Sequence, residues 1–363
     1  MNNIFQKNFL LSVVVLFWNN SDKTIKCLDS IFKQTHINFK VILVDNNSEL
    51  KYRKEIFKWL KQNKIKVLQI NKTSDKILAS SNKKICYYIK NRINYGCGLG
   101  HNFGYKFCLK NDFKYIARID NDMILSKKLL YNLVKILENN SQIMALTPKV
   151  MFAQKPNLIW FRGALIGNNL KLQKQCAAYT PGHKDNKKFR GLVPTDSIVG
   201  CASIMRADRL NKVGLSDPDF FYGEEDIELS QRLKNGKNSL VIDLSHKIYH
   251  FVSATVGTNW AKNIYYNYKY RLLLIEKIGT PLDKVFGYSI CIIKFLLSTV
   301  LIFNLKYSSR ILQRYYGIKH FYQNKYGKYD RKNYIKINNF FKVINKKTNI
   351  MDVISIIFKK RKI

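Results

Sequence analysis

Apolar residues along the first 120 positions come in short continuous runs separated by polar stretches in which they recur at helical spacing. Phe9–Phe17 is such a run, with Val13, Val14 and Val15 at its centre. Unbroken runs of this length, bounded by turn formers, predict strands buried on both faces. Asn19, Asn20, Ser21 and Asp22 follow, and Ser21 or Asp22 can cap a helix carrying Ile25, Leu28, Ile31 and Phe32. Val41–Val44 predicts a second strand, Glu55–Leu60 a second helix, and Ile65–Ile70 a third strand. The polar stretch Asn71–Lys84 reads as a loop or small insertion. Ile85–Ile89 and Tyr115–Ile119 predict further strands, with a glycine-rich turn and a helix between them. Strands alternating with helices predict an α/β domain.

The polar residues at the strand ends are as informative as the runs. Asn19, Asp45 and Asp120–Asp122 all follow predicted strands, and open α/β sheets bind ligands beyond the carboxyl ends of their strands. From about Ile264 the pattern changes. Tyr265, Tyr266, Tyr268, Tyr270 and Arg271 open an aromatic and basic stretch, and Gly287–Leu305 is an apolar run broken by Lys294. Residues 306–362 are densely basic, opposed only by Asp330 and Asp352. This organisation predicts a domain over residues 1–265 and a helical extension over 266–363.

Composition sharpens the picture. Sixty-three Lys and Arg against 24 Asp and Glu give a formal charge of +39, which points to an anionic partner, while 46% apolar content excludes a disordered chain. Cysteines 27, 86, 97, 108, 176, 201 and 291 form no C-x-x-C pair, a scatter that reads as reduced thiols in a cytosolic compartment. Lys7 and the apolar run after it resemble a secretory signal, but no small-x-small cleavage site follows, and the strand reading is preferred.

Three segments carry candidate chemistry. Asp120-Asn121-Asp122 places two carboxylates one residue apart at a strand end, where they can share a hard divalent ion with substrate phosphates. In Asn94–Gly104, glycines at 96, 98 and 100 permit close approach of backbone N–H groups to an anion, or simply a tight turn. Glu224-Glu225-Asp226 stands where a helix begins; the acids suit the helix dipole there, or supply a general base.

In this order the segments resemble the family-two glycosyltransferases, inverting enzymes of the GT-A fold, and within them a rhamnosyltransferase-like branch that builds bacterial surface polysaccharides. The resemblance runs from Val13–Asn19 through Val44–Ser48, Asn94–Gly104, Ile119–Asp122, Val199–Ala202 and Asp219–Asp226 to His250 and about Arg271. It implies a nucleotide-diphosphate-sugar donor and a divalent metal, Mn²⁺ or Mg²⁺. It implies that Asp45, with Asn19 nearby, contacts the nucleobase, that Asn94, Gly100 and Asn102 help hold the nucleotide, and that Asp120 lies near ribose and metal. Asp122 and His250 are implied as metal ligands, and Asp226 as the base, with Glu225 as its rival. The Gln-x-x-Arg-Trp signature of processive members is absent, which favours addition of one sugar or a few.

Lys294 inside the apolar run makes an interfacial or protein-buried helix more favourable than a span, because a lysine at mid-bilayer costs about 2.5–3.5 kcal/mol. With the basic tail, this predicts a peripheral enzyme on the anionic cytoplasmic face of the inner membrane, using a glycan or polyprenyl-diphosphate-linked acceptor. Other readings are a nucleic-acid-binding protein, disfavoured by the lack of any recognisable binding motif, an inactive scaffold, and a nucleotidyltransferase.

Overall fold

The computed structural model describes residues 11–72, 75, 84–166, 182–186, 188–252, 264–299 and 305–328. Among these, one twelve-stranded sheet runs through the molecule. Its first half is parallel and is built from β1 (Leu11–Phe17), β2 (Phe39–Asp45), β3 (Lys66–Ile70), β4 (Ile85–Lys90) and β5 (Tyr115–Asp120), in spatial order β3-β4-β2-β1-β5. The short β6 (Met123–Leu125) follows. The second half mixes directions: β7 (Ala145–Phe152) lies parallel to the last strand, while the shorter strands pair antiparallel. Those are β8 (Leu158–Phe161), β9 (His183–Lys184), β10 (Leu192–Pro194), β11 (Ala202–Arg206) and the long β12 (Leu240–His250). Most paired positions are therefore parallel, in a mixed sheet.

Alternation along β1 divides the core. Leu11, Val13, Val15 and Phe17 face α1 (Ser21–Phe32), α2 (Leu50–Gln62) and, after α3, α4 (Leu129–Asn139). Val14 and Leu16 face α3 (Cys97–Lys110), α5 (Ala207–Val213) and α6 (Glu225–Leu233). Burial on both faces explains why the strand sequences read as unbroken apolar runs. The first strand was expected from Phe9; Phe9 and Leu10 lie outside the described residues, as do most of Asn71–Lys84 and Cys176. The remaining cysteines are unpaired thiols.

The glycine-rich segment departs from expectation. Helix α3 begins at Cys97, so Gly98, Gly100 and Gly104 lie inside it. A Cβ at Gly104 would stand 2.5 Å from Val14 Cγ1, and one at Gly100 would stand 3.0 Å from Leu16. Gly100 and Gly104 let α3 press onto β1, so their spacing also serves helix-to-sheet contact. Gly96 (φ +83°) is the true turn residue, with its Cα against the Phe221 carbonyl.

After β12 come α7 (Ile264–Ile278), α8 (Pro281–Thr299) and α9 (Leu305–Tyr322). The expected run Gly287–Leu305 overlaps α8, which begins earlier, and reaches Leu305 at the start of α9, with residues 300–304 outside the described residues. Phe220 is buried with Tyr270, Leu273, Cys291 and Phe321 in a third core. Among the described residues, no helix is long and apolar enough to cross a membrane.

The α3–β1 contact gives a stability prediction. Gly104→Ala gains up to about 1 kcal/mol of helix propensity but overpacks a site where a rigid valine cannot retreat, at about 1–3 kcal/mol. A net loss of stability is expected in urea denaturation, and unchanged stability would show that α3 can lift off the sheet.

Candidate active site

The parallel register brings the strand ends together. Phe17 pairs with Asp45, Leu16 with Asp120, and Asp45 with Lys90, so Asp45 and Asp120 lie on one edge of the sheet. Strand β11 runs antiparallel beside β5, and the Asp120 N–H donates to the Cys201 carbonyl (2.9 Å). Strand β12 reaches the same edge through β6, where His250 pairs with Met123.

Asp120 is the last residue of β5, and Asp122 follows in a turn pinned by Asn121, whose amide donates to Thr24 Oγ1 (2.8 Å). Asp122 Oδ1 lies 3.4 Å from His250 Nε2, both side chains nearly buried. The edge of the His250 ring meets Trp160, centroids 4.6 Å apart. A carboxylate oxygen and an imidazole nitrogen at this separation form a donor set that suits a divalent cation of borderline hardness. Asp120 brings a second carboxylate; burial pushes it up to about 7, opposed by Arg118 and reinforced by Asp122.

His101 is wholly buried beside this group. Its Nδ1 is 2.9 Å from the Cys97 carbonyl, an acceptor, so Nδ1 carries the proton and Nε2 faces Asp120 Oδ1 at 3.6 Å as a bare lone pair. Burial and the Arg118 charge hold this imidazole well below its ordinary value. Cys97, His101 and Asp120 offer ligand atoms within 4.8 Å of one another. Arg118 Nη2 stands 3.0 Å from Cys97 Sγ, however, and a permanent cation there opposes a metal between them.

The acid triplet divides its labour. Glu224 has a left-handed backbone (φ 68°) and pairs with Arg271 of α7 at 2.8 Å. Glu225 is buried, with Oε1 2.9 Å from Arg118 Nη2. Asp226, like Glu224, is partly exposed. Its Oδ2 accepts from the Gly200 N–H (2.9 Å) and its Oδ1 from the Ile227 N–H (3.0 Å). Burial and the Glu225 charge push the Asp226 carboxyl up to about 6, against the pull of Arg118. A Cβ on Gly200 would come within 2.9 Å of Arg118 and 3.2 Å of Asp226, so only glycine lets these groups meet.

Several residues expected at the nucleotide are occupied by the protein itself. Asp45 is fully buried, accepting from Tyr88 Oη and from the Ser48 N–H, both at 2.7 Å. The Asn19 side chain accepts from the Glu49 N–H (2.9 Å), tying β1 to the loop after β2. Asn94 accepts from the Gly96 N–H and from Asn46, each at 2.9 Å. Asn102 clamps Ser216 through both its amide atoms, donating to the carbonyl (2.7 Å) and accepting from the N–H (3.1 Å). Each of these side chains holds loop backbone, and Asp45 and Asn94 also bond to the side chains of Tyr88 and Asn46.

Sequence reasoning missed Asn46 and Arg118. Asn46 is buried and makes four bonds, donating to Asn94 and the Gly96 carbonyl and accepting from Asn91 and the Tyr95 N–H. Arg118 gave a signal: a lone cation inside the apolar strand Tyr115–Asp120 demands a buried partner.

The sheet and its rim have known counterparts. A crystal structure of GalNAc-T7 with UDP, GalNAc and Mn²⁺ superposes with a TM-score of 0.52 at 13% identity, covering 78% of this chain and 55% of that one, and is a GT-A glycosyltransferase. S. aureus TarS 1–349 in complex with UDP gives a TM-score of 0.46 at 16% identity, covering 76% and 68%. An uncharacterised glycosyltransferase of Rickettsia bellii (strain RML369-C) is 28% identical over 137 residues, 38% of this chain but only 16% of that protein's length. Residues 12–212 match the model of Glycosyl transferase family 2, and the chain belongs to that family.

The ion pair under the acids sets a prediction. Arg118→Met strands Glu225 in the interior and is expected to cost about 3–5 kcal/mol in denaturant titration. Adding Glu225→Gln should restore much of that loss, and a double variant no more stable than Arg118→Met would disprove the pairing.

Proposed function

We propose that this chain transfers one sugar from a nucleotide-diphosphate-sugar to a hydroxyl of a glycan, or of a polyprenyl-diphosphate-linked glycan, with inversion at the anomeric carbon. In this reading it works in bacterial surface-polysaccharide synthesis, peripheral to the cytoplasmic face of the membrane. One observation carries the chemistry: Asp120, Asp122, His250 and Asp226, distant in sequence, converge on one sheet edge in a family-two glycosyltransferase.

Asp122 and His250 would hold a divalent metal, with Asp120 beside them, and imidazole among the ligands favours Mn²⁺ over Mg²⁺. When bound, the metal supplies positive charge against the diphosphate leaving group. The GalNAc-T7 structure holds UDP, a sugar and Mn²⁺, which supports the same class of donor and ion here.

Asp226 is the base in this reading. Two backbone N–H groups fix its carboxylate, and its remaining lone pairs accept the proton of the acceptor hydroxyl as that oxygen bonds to the anomeric carbon. The bond from the anomeric carbon to the diphosphate oxygen breaks in the same displacement. Glu225, engaged with Arg118 beneath, positions the helix terminus and raises the basicity of Asp226 by its charge.

Asp226→Asn is expected to lower transfer by about 10²–10⁴-fold while nucleotide binding persists. Full transfer in that variant would remove the assignment. Because the carboxyl is pushed up to about 6, its base form is lost below that pH. Single-turnover rates should therefore fall about tenfold per pH unit on the acid side, a limb absent from the residual activity of Asp226→Asn.

Nucleotide diphosphates at one hundred times Kd with Mn²⁺ should stabilise the fold by about 2.7 kcal/mol, and Asp122→Asn should abolish the metal-dependent part. A nucleotide shift indifferent to Mn²⁺ in both proteins would refute the metal site.

A further inference from the structure

The outer side of α8 is apolar and open. Leu282, Val285, Phe286, Ile292, Ile293, Leu296 and Leu297 are each 40–69% exposed. At 100° per residue they fall within one arc of about 140°, with Ser289 at its centre. The opposite side is packed: Gly287 lies against Ile275 of α7, and Cys291 joins Phe220 and Tyr270 in the third core.

Its borders are basic and aromatic. Lys294 is exposed beyond one edge, while Lys284 lies toward the packed side and pairs with Glu276 at 3.1 Å. Helix α9 adds exposed Tyr315, in ring contact with Phe295, and exposed Tyr322 and Lys319. An apolar strip bordered by lysine and tyrosine suits a helix lying in a lipid headgroup region, where lysine stems and tyrosine hydroxyls reach water. Charge selects the lipid. A chain of net charge +39 is attracted to an anionic leaflet, whereas a second copy bearing the same charge is repelled.

We propose that the α8 arc, from Leu282 to Leu297, is a docking surface for an anionic lipid bilayer, lying in the headgroup plane without crossing it. The surface is joined to the acid triplet through α7. Tyr266 of that helix stacks on Phe221 (5.6 Å, 18°), Arg271 pairs with Glu224, and Gly287 brings α8 close to Ile275. Docking therefore places the Glu224–Asp226 turn at a fixed position relative to the bilayer, which suits an acceptor whose lipid end stays in the membrane. This deepens the transfer reading above and rests on it only for the nature of the acceptor.

The test is flotation of the full chain with phosphatidylcholine vesicles, and with phosphatidylcholine–phosphatidylglycerol vesicles, at low and high salt. Wild-type protein should float with the anionic vesicles, less so at high salt. Leu282→Glu/Leu297→Glu, at positions 62% and 69% exposed, should lower the partition coefficient about a hundredfold, since each buried leucine is worth more than tenfold. The same variant should keep its nucleotide and Mn²⁺ thermal shift, so that a failed donor site and a failed membrane surface are separate outcomes. Wild-type flotation that is equal in the variant would assign binding to the basic residues alone and overturn the proposal. So would a wild-type dimer in sedimentation that the variant dissociates, or no flotation at all.

Discussion

The site depends on a buried ion pair. Arg118 and Glu225 lie 2.9 Å apart with both side chains nearly dry, joining a strand of the sheet to the first turn of α6. Desolvating two charges is costly, and such a pair rarely adds net stability over an apolar alternative. What it does is fix geometry. Removing either partner leaves a bare charge, so β5 and α6 cannot slide apart. Asp120 and Asp226 flank this pair, and each carboxyl is pushed upward by burial and pulled down by the guanidinium. Gly200 completes the arrangement by leaving room for Arg118 and by giving its N–H to Asp226.

A second, uncharged network holds the rim. Asn46 joins the loop after β2 to the turn before α3, and Asn102 joins α3 to the loop that leads into the acid triplet. Asparagine can donate and accept at once, so each of these residues satisfies backbone groups that a loop would otherwise leave unpaired. Left-handed residues Asn19, Asn20 and Asn47 are part of the same economy, because asparagine tolerates that conformation better than most side chains.

Much of this was legible in the sequence, for particular reasons. The strands at Val41–Val44 and Tyr115–Ile119 stood out because both faces are buried, and the register then carries Asp45 and Asp120 to one edge. The Asp122–His250 contact was legible only through family resemblance, since the two residues meet by way of a three-residue strand, β6, too short to leave a pattern. The glycines were ambiguous in the sequence because a Gly-x-Gly-x-x-x-Gly spacing serves helix packing, which Gly100 and Gly104 do here, as readily as anion binding. Asp45, Asn94 and Asn102 were read as nucleotide contacts, and a sequence cannot tell which polar side chains also hold loop backbone, as these do. Arg118 shows the converse: its lone charge within an apolar strand announced a partner, though not which of three consecutive acids it would be.

Phe220 has a consequence for how the chain can be divided. It sits six residues before Asp226, yet its ring is buried among side chains of α7, α8 and α9. The boundary suggested by composition near residue 265 is therefore not a seam in the packing. Helices α7–α9 cannot be exchanged for those of a relative as an interchangeable module without recutting the floor beneath the acid triplet. A change at Tyr270, Cys291 or Phe321 therefore reaches Phe220 directly, six residues from Asp226.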